Sequence, residues 1–236
     1  MAFFLDAKPA RQPFLRAPAS VIGLIGVLVA AHIARVLAPA ALSDRILNDY
    51  ALDPIRYHAY ATGSFADRVL PLFGYMFLHA NTMHITINCV WLLAFGPLVA
   101  RRFGGAAFIL FFLLCGLAGA VCYVAINWGL DVGVIGASGA ISGLMGAAIR
   151  MMNIRQPYLN VATLPLVPIF SSQVLGFSGV WLAINLVTGI TGLGVAGQIE
   201  SVAWEDHMGG YLAGLLLVGI FDRVLGRGAA KARSGA

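Results

Sequence analysis

The sequence predicts an all-α membrane protein: a bundle of six transmembrane helices with both termini on the cytoplasmic side. Three observations lead there. Of 236 residues, 60% are hydrophobic and only 11% charged, with a mean hydropathy of +0.86; a soluble domain carries about 25% charged residues. Six apolar runs approach the roughly 20 residues needed to cross about 30 Å of hydrocarbon. The basic residues fall mainly on one side of the bundle those runs define.

In chain order, residues 1–16 form a cytoplasmic tail with Lys8, Arg11 and Arg16. The first span covers Ala17–Leu37. Ala38-Pro39-Ala40 looks like a signal-peptide cleavage site, but the run is too long for a signal core and carries His32 and Arg35 near its end. Residues 38–82 are much the longest connection, mixing Asp44, Arg45, Asp49, Asp53, Arg56, Asp67 and Arg68 with apolar stretches such as Val69–Leu78. They predict a structured outer loop that dips into the interface. Spans two and three cover Met83–Ala100 and Gly105–Asn127. The fourth, Val134–Met151, is short and rich in Gly, Ala and Ser, a composition that lets helix backbones approach closely. Spans five and six cover Ser172–Leu193 and Val202–Phe221, so the membrane domain runs from 17 to 222. A basic cytoplasmic tail, 223–236, closes the chain.

With the N-terminus inside, Lys8, Arg11, Arg16, Arg101, Arg102, Arg150, Arg155, Arg223, Arg227, Lys231 and Arg233 lie on the inner side. Arg35, Arg45, Arg56 and Arg68 lie at the outer side. The net charge of +5 therefore reflects topology, and no nucleic-acid patch is indicated. The lipid bilayer is the expected surrounding. Cys89, Cys115 and Cys122 sit in apolar runs without a CxxC pair and read as small buried hydrophobes. Short loops without added domains point to a bacterial inner membrane. Neither the physiological substrate nor the oligomeric state is readable.

Polar residues inside a membrane are expensive and mark function. Ser138 lies in Gly136-Ala137-Ser138-Gly139 near the start of span four, and His207 near the start of span six. His84 and Asn88, four apart, share one helix face at the start of span two. These three spans run from outside to inside, so all four groups share one layer near the outer surface. A serine hydroxyl becomes a nucleophile when a base takes its proton, and histidine suits that task near neutral pH. The developing oxyanion needs hydrogen-bond donors, which Asn88, His84 and the Ser138 backbone N–H can supply. No acid is evidently placed to orient His207, which favours a Ser–His dyad. A second GxSG, Gly176-Phe177-Ser178-Gly179, lies in a span of opposite direction; Ser178 is read as a helix-packing serine. His79 reads as a loop residue, and His32 and His58 as structural or exposed.

Together these residues resemble the rhomboid family of intramembrane serine proteases. The carriers are Phe77-Leu78-His79 through His84-Ile85-Thr86-Ile87-Asn88, then Gly136 through Gly143, then His207 followed by Gly209-Gly210 and Gly214. The resemblance spans about Leu70 to Asp222. It implies a six-helix rhomboid-like bundle with an outward-opening watery cavity, in which Ser138 is nucleophile, His207 general base, and His84 and Asn88 line the oxyanion hole. Gly210 and Gly214, with Gly136 and Gly139, would pack the last span against the fourth. The implied substrates are single-span membrane proteins, cut in or near their transmembrane segments after entering past a mobile fifth helix. No metal or organic cofactor is implied.

Three positions depart from the family pattern. Leu70-Pro71 stands where a Trp-Arg pair is common, Ser142 where an aromatic residue stacks on the histidine, and Asp206 where a small residue is usual. They bear on rate and substrate choice, not on reaction type. Beside Glu205, Asp206 would either raise the basicity of His207 or line the outer cavity. The competing readings are a catalytically silent rhomboid-like protein that binds membrane proteins, and a small six-span transporter. The latter predicts mid-membrane sites and internal repeats, which the chain lacks.

Overall fold

The computed structural model describes residues 17–58, 63–153, 164–191 and 203–226. Among them the chain is helical: α1 (Ala19–Leu37), α2 (Ala40–Tyr50), α3 (Phe65–Gly74), α4 (Thr82–Phe103), α5 (Gly105–Ile126), α6 (Ser138–Met151), α7 (Ser172–Thr191) and α8 (Trp204–Phe221). The predicted tails at 1–16 and beyond Gly226, with Arg155 and the ends of the fifth run and start of the sixth, lie outside the described residues.

Among the described residues, five helices are long and apolar enough to cross a membrane: α1, α4, α5, α7, and α8 with its following turn, Trp204–Leu225. The fourth predicted run differs. Its helix begins at Ser138 rather than Val134 and has 14 residues, about 21 Å at about 1.5 Å per residue. The reason lies just upstream. Val134 pairs in antiparallel fashion with Leu52 of the outer loop, and Gly136 adopts φ +133° while donating its N–H to the Tyr75 carbonyl at 2.9 Å. That backbone region is nearly reserved for glycine, and a helix cannot pass through it.

Helix α6 is nonetheless the centre of the bundle. All its residues except Ser138 and Arg150 are buried, chiefly against α8, then α5 and α4. Its contact with α8 is backbone on backbone. A β-carbon at Gly210 would collide with the Gly139 carbonyl, and one at Gly214 with the Gly143 carbonyl. Small residues at this spacing permit that approach, and dispersion between the closely set helices then replaces the hydrophobic effect that lipid cannot supply.

The long connection between α1 and α4, read from the sequence as an outer loop, is folded over its described residues, as its mixed composition predicts. Pro39 ends the first helical stretch and precedes α2, which buries none of its residues. A capping box starts α3: Ser64 N–H donates to Asp67 Oδ2 at 2.7 Å, and Asp67 N–H donates to Ser64 Oγ at 3.3 Å. A short 3-10 turn, Tyr75–Phe77, then plugs the bundle with fully buried Tyr75 and Met76. Arg35, near the C-terminal end of α1, donates to the His79 carbonyl at 2.7 Å, which holds the loop end to the first helix.

At the other end, two arginines that the sequence assigns to the inner side are built in. Arg102, buried, pairs with Asp222 at 2.6 Å and donates to the Leu164 carbonyl at 2.9 Å. Arg150 donates to the carbonyls of Leu215 at 2.5 Å and Val167 at 3.1 Å.

Two predictions follow from these contacts. Gly214→Leu should prevent α6 and α8 from closing, lowering thermal stability in detergent by more than the about 1–3 kcal/mol of ordinary overpacking. Gly176→Ala, with no atom near its new methyl, should leave the melting temperature unchanged or slightly raised, alanine being the better helix former; a loss equal to that of Gly214→Leu would refute the seam. The second concerns acid. The Ser64 backbone N–H and then its side chain hold the Asp67 carboxyl below the usual carboxylate range. The cap is therefore complete at neutral pH and weakens as pH falls from about 3.9 through the lower folded value. Amide exchange at residues 65–68, corrected for intrinsic rate, should quicken as pH falls from about 3.9 in wild type but not in Asp67→Asn.

Candidate active site

The four polar groups picked out in the sequence occupy the first turns of three helices. Ser138 is the first residue of α6, His84 the third of α4 and His207 the fourth of α8. Each is half-buried, while Asn88 is fully buried one turn further along α4. Gly136 sets their spacing. The place a β-carbon would take on it is 2.8 Å from His84 Nε2 and 3.6 Å from Ser138 Oγ. Only a residue without a side chain lets His84 and the serine meet over the same stretch of backbone. His84 also lies within electrostatic reach of His207.

His84 and Asn88 are held by the start of their own helix. Asn81 caps α4, its Oδ1 accepting the His84 backbone N–H at 2.9 Å. Asn88 Nδ2 donates to the His84 carbonyl at 3.0 Å, which uses one of its two amide hydrogens and leaves the second. Among the described residues the Ser138 hydroxyl has no hydrogen-bond partner, so the structure does not join it to His207. Catalytic hydrogen bonds are often long before substrate binds.

The sequence gives no partner for His207, but the structure does. Its Nδ1 lies 2.8 Å from Asn185 Oδ1 on α7. One asparagine in an apolar run offers no signal of this. Ser178 is one α8 turn away, its Oγ 2.8 Å from the Tyr211 hydroxyl. Ser142, the position without an aromatic ring, is buried within α6.

Asp206 takes neither role expected of it. Adjacent helical residues point about 100° apart, so while His207 faces α7, the Asp206 carboxylate turns into the bundle. It accepts from the Tyr75 hydroxyl at 2.7 Å and lies against Gly119 and Gly139. The Gly139 N–H, among the donors at the start of α6 with no partner inside the helix, is shared with it. The Tyr75 hydroxyl is also 2.8 Å from the Gly116 carbonyl. One carboxylate thus links the outer loop, α5, α6 and α8. Behind His84, His79 lies in the loop before α4, as the sequence predicts, and is fully buried there, with ring centroids 5.2 Å from His84 and 6.5 Å from His32.

Comparison with known proteins fits this architecture. The sequence model of the family described as Rhomboid domain matches residues 66–223, which takes in α3 through α8 and all four polar groups. RHOMBOID-like protein 1 of Arabidopsis thaliana is 29% identical over 152 residues, 64% of this chain and 34% of that protein. The chain thus spans about a third of that relative's length.

If Asp206 ties the parts together through Tyr75, Tyr75→Phe should lower stability by about 1–3 kcal/mol, the loss expected when a buried acceptor loses its donor. Combined with Asp206→Ala it should add less than the sum of the two. Full additivity in denaturation of the detergent-solubilised protein would break the link.

Proposed function

The chain belongs to the rhomboid family, and from that membership and its site we propose that it is an intramembrane serine endopeptidase acting on membrane proteins. It is an integral, multi-pass membrane protein. The observation that carries the reading is the setting of Ser138 and His84 around Gly136, whose missing side chain makes room, with His207 within electrostatic reach of His84 at the start of α8.

In the proposed reaction, the substrate is a single-span membrane protein whose chain lies along the opening beside Ser138. The Ser138 Oγ attacks the scissile carbonyl carbon while His207 takes the hydroxyl proton. The carbonyl oxygen becomes negative and is met by the remaining Asn88 N–H, the His84 ring and the Ser138 backbone N–H. The start of α6 favours that charge, because its first N–H groups are unpaired within the helix and its dipole is positive there. Collapse breaks the C–N bond, His207 returns the proton to the departing amine, and an acyl-serine remains. Water, activated by the same histidine, then releases the second product and restores the serine.

The charge distribution supports six crossings, with α6 as the short central one and both ends of the chain on the cytoplasmic side. The short loops support placement in a bacterial inner membrane. A second reading, a rhomboid-like binder that does not cut, has one observation in its favour: the Ser138 hydroxyl without a hydrogen bond to His207.

One experiment separates the two. Purified protein in detergent, given a labelled single-span membrane polypeptide, should cut it, and Ser138→Ala should not. Asn88→Ala should slow cleavage by about ten- to a thousand-fold, as when one oxyanion donor is lost. Intact substrate with wild type, or equal cleavage by Ser138→Ala, would overturn the protease reading.

A further inference from the structure

Helix α7 is the most lightly held of the long helices. Val174 is its one buried residue, and Phe177, Val180, Ile184, Val187 and Ile190 are exposed. What attaches it to α8 is a narrow row. Ser178 meets the Tyr211 hydroxyl, the Trp181 ring stacks on Tyr211 with centroids 4.3 Å apart, Asn185 meets His207, and Gly189 admits Trp204. The helices run antiparallel, so these pairs descend in register.

The Asn185 contact fixes more than position. Its Nδ2 donates to the Trp181 carbonyl at 2.9 Å, and a carbonyl can only accept. The amide is therefore oriented: nitrogen to its own helix, oxygen to His207. That oxygen also only accepts, so the His207 Nδ1 facing it must carry the proton. In a neutral imidazole the other nitrogen, Nε2, then holds the lone pair. This is the form a general base needs, set by an uncharged residue in the place where a serine protease uses a carboxylate.

We propose that Asn185 is the positioning residue of His207, and that the seating of α7 against α8 and the readiness of the base are one event. When α7 is seated, the imidazole is held with Nε2 as acceptor. When α7 moves away, as to admit a substrate helix, the ring loses the contact that chooses its tautomer. The inference rests on the protease reading above.

The charged and titratable groups around the ring, among the described residues, are few. His84 faces it from α4, and Ser138 is the α6 residue of the site. On α8 itself, Asp206 is bonded to Tyr75, and Glu205 lies 3.4 Å from the Asn127 amide of α5. From α5, Cys122 lies against Gly209. From α7 comes the uncharged Asn185.

The test is the pH dependence of cleavage for wild type, Asn185→Ala and Asn185→Asp on the same single-span substrate. Asn185→Ala should lower kcat by about ten- to a hundred-fold, the loss typical when a partner orienting a functional histidine is removed, with KM little changed. Asn185→Asp keeps the acceptor and adds a negative charge, which favours the imidazolium. Its kcat should stay near wild type, and the acid limb of its kcat/KM profile should move to higher pH by about one unit or more. A residue that merely packs α7 would move melting temperature and leave that limb in place. Wild-type kcat in Asn185→Ala, or an active Asn185→Asp with an unmoved limb, overturns the inference. If Asn185→Ala does not fold, the Asn185→Asp limb decides alone. An inactive wild type is a different result, since it overturns the protease reading itself.

Discussion

Everything in this protein is arranged around a contact between two bare stretches of backbone. Helix α6 is too short to cross a bilayer unaided and is enclosed nearly along its whole length, so its neighbours must come close enough to replace both lipid and water. Gly139 and Gly143 offer their carbonyls, and Gly210 and Gly214 present nothing but α-carbons. With no hydrophobic effect to draw helices together inside lipid, dense packing is what remains. The same seam carries Ser138 at one end of α6 and His207 on the facing helix. The geometry of the polar site is thus inherited from the packing.

Burying a carboxylate beside that seam is the opposite kind of demand. Asp206 is 1% exposed and is tolerable there because the Tyr75 hydroxyl and the start of α6 meet it. The arrangement also explains why the outer loop ends in a turn that enters the bundle. Tyr75 supplies the hydroxyl to Asp206 and its carbonyl to Gly136, so one residue supports the carboxylate and the strained entry to Ser138 together. Polar groups at membrane depth satisfied as a connected set hold one arrangement, whereas a missing member leaves others unpaired.

Much of this was legible in the residues. Apolar runs placed the long helices to within a few positions, because a helix of lipid-crossing length is written in consecutive side chains. The Gly-rich fourth run announced close packing, and the polar residues near the starts of three spans marked the site region. What could not be read depends on which face of each helix meets which neighbour. The late start of α6 at Ser138 arises from Gly136 and the Leu52–Val134 pairing, which join distant parts of the chain. Asp206 reads from the sequence as a support for His207 or as lining of the outer cavity, because the two are adjacent in sequence, although adjacency on a helix sends side chains apart. Asn185 carried no signal, since its meaning is its register against α8, and residues 192–202 between them do not encode that register by spacing.

The isolation of α6 also orders the making of the protein. Its flanking partners α4 and α5 are synthesised before it, but the face holding Gly139 and Gly143 is closed by α8, whose first residue comes more than 50 positions after Met151. Until then a 14-residue segment rich in glycine, alanine and serine has half its enclosure missing. The centre of the bundle is therefore completed last, and a chain released before α8 emerges would possess the serine but no settled place for the helix that bears it.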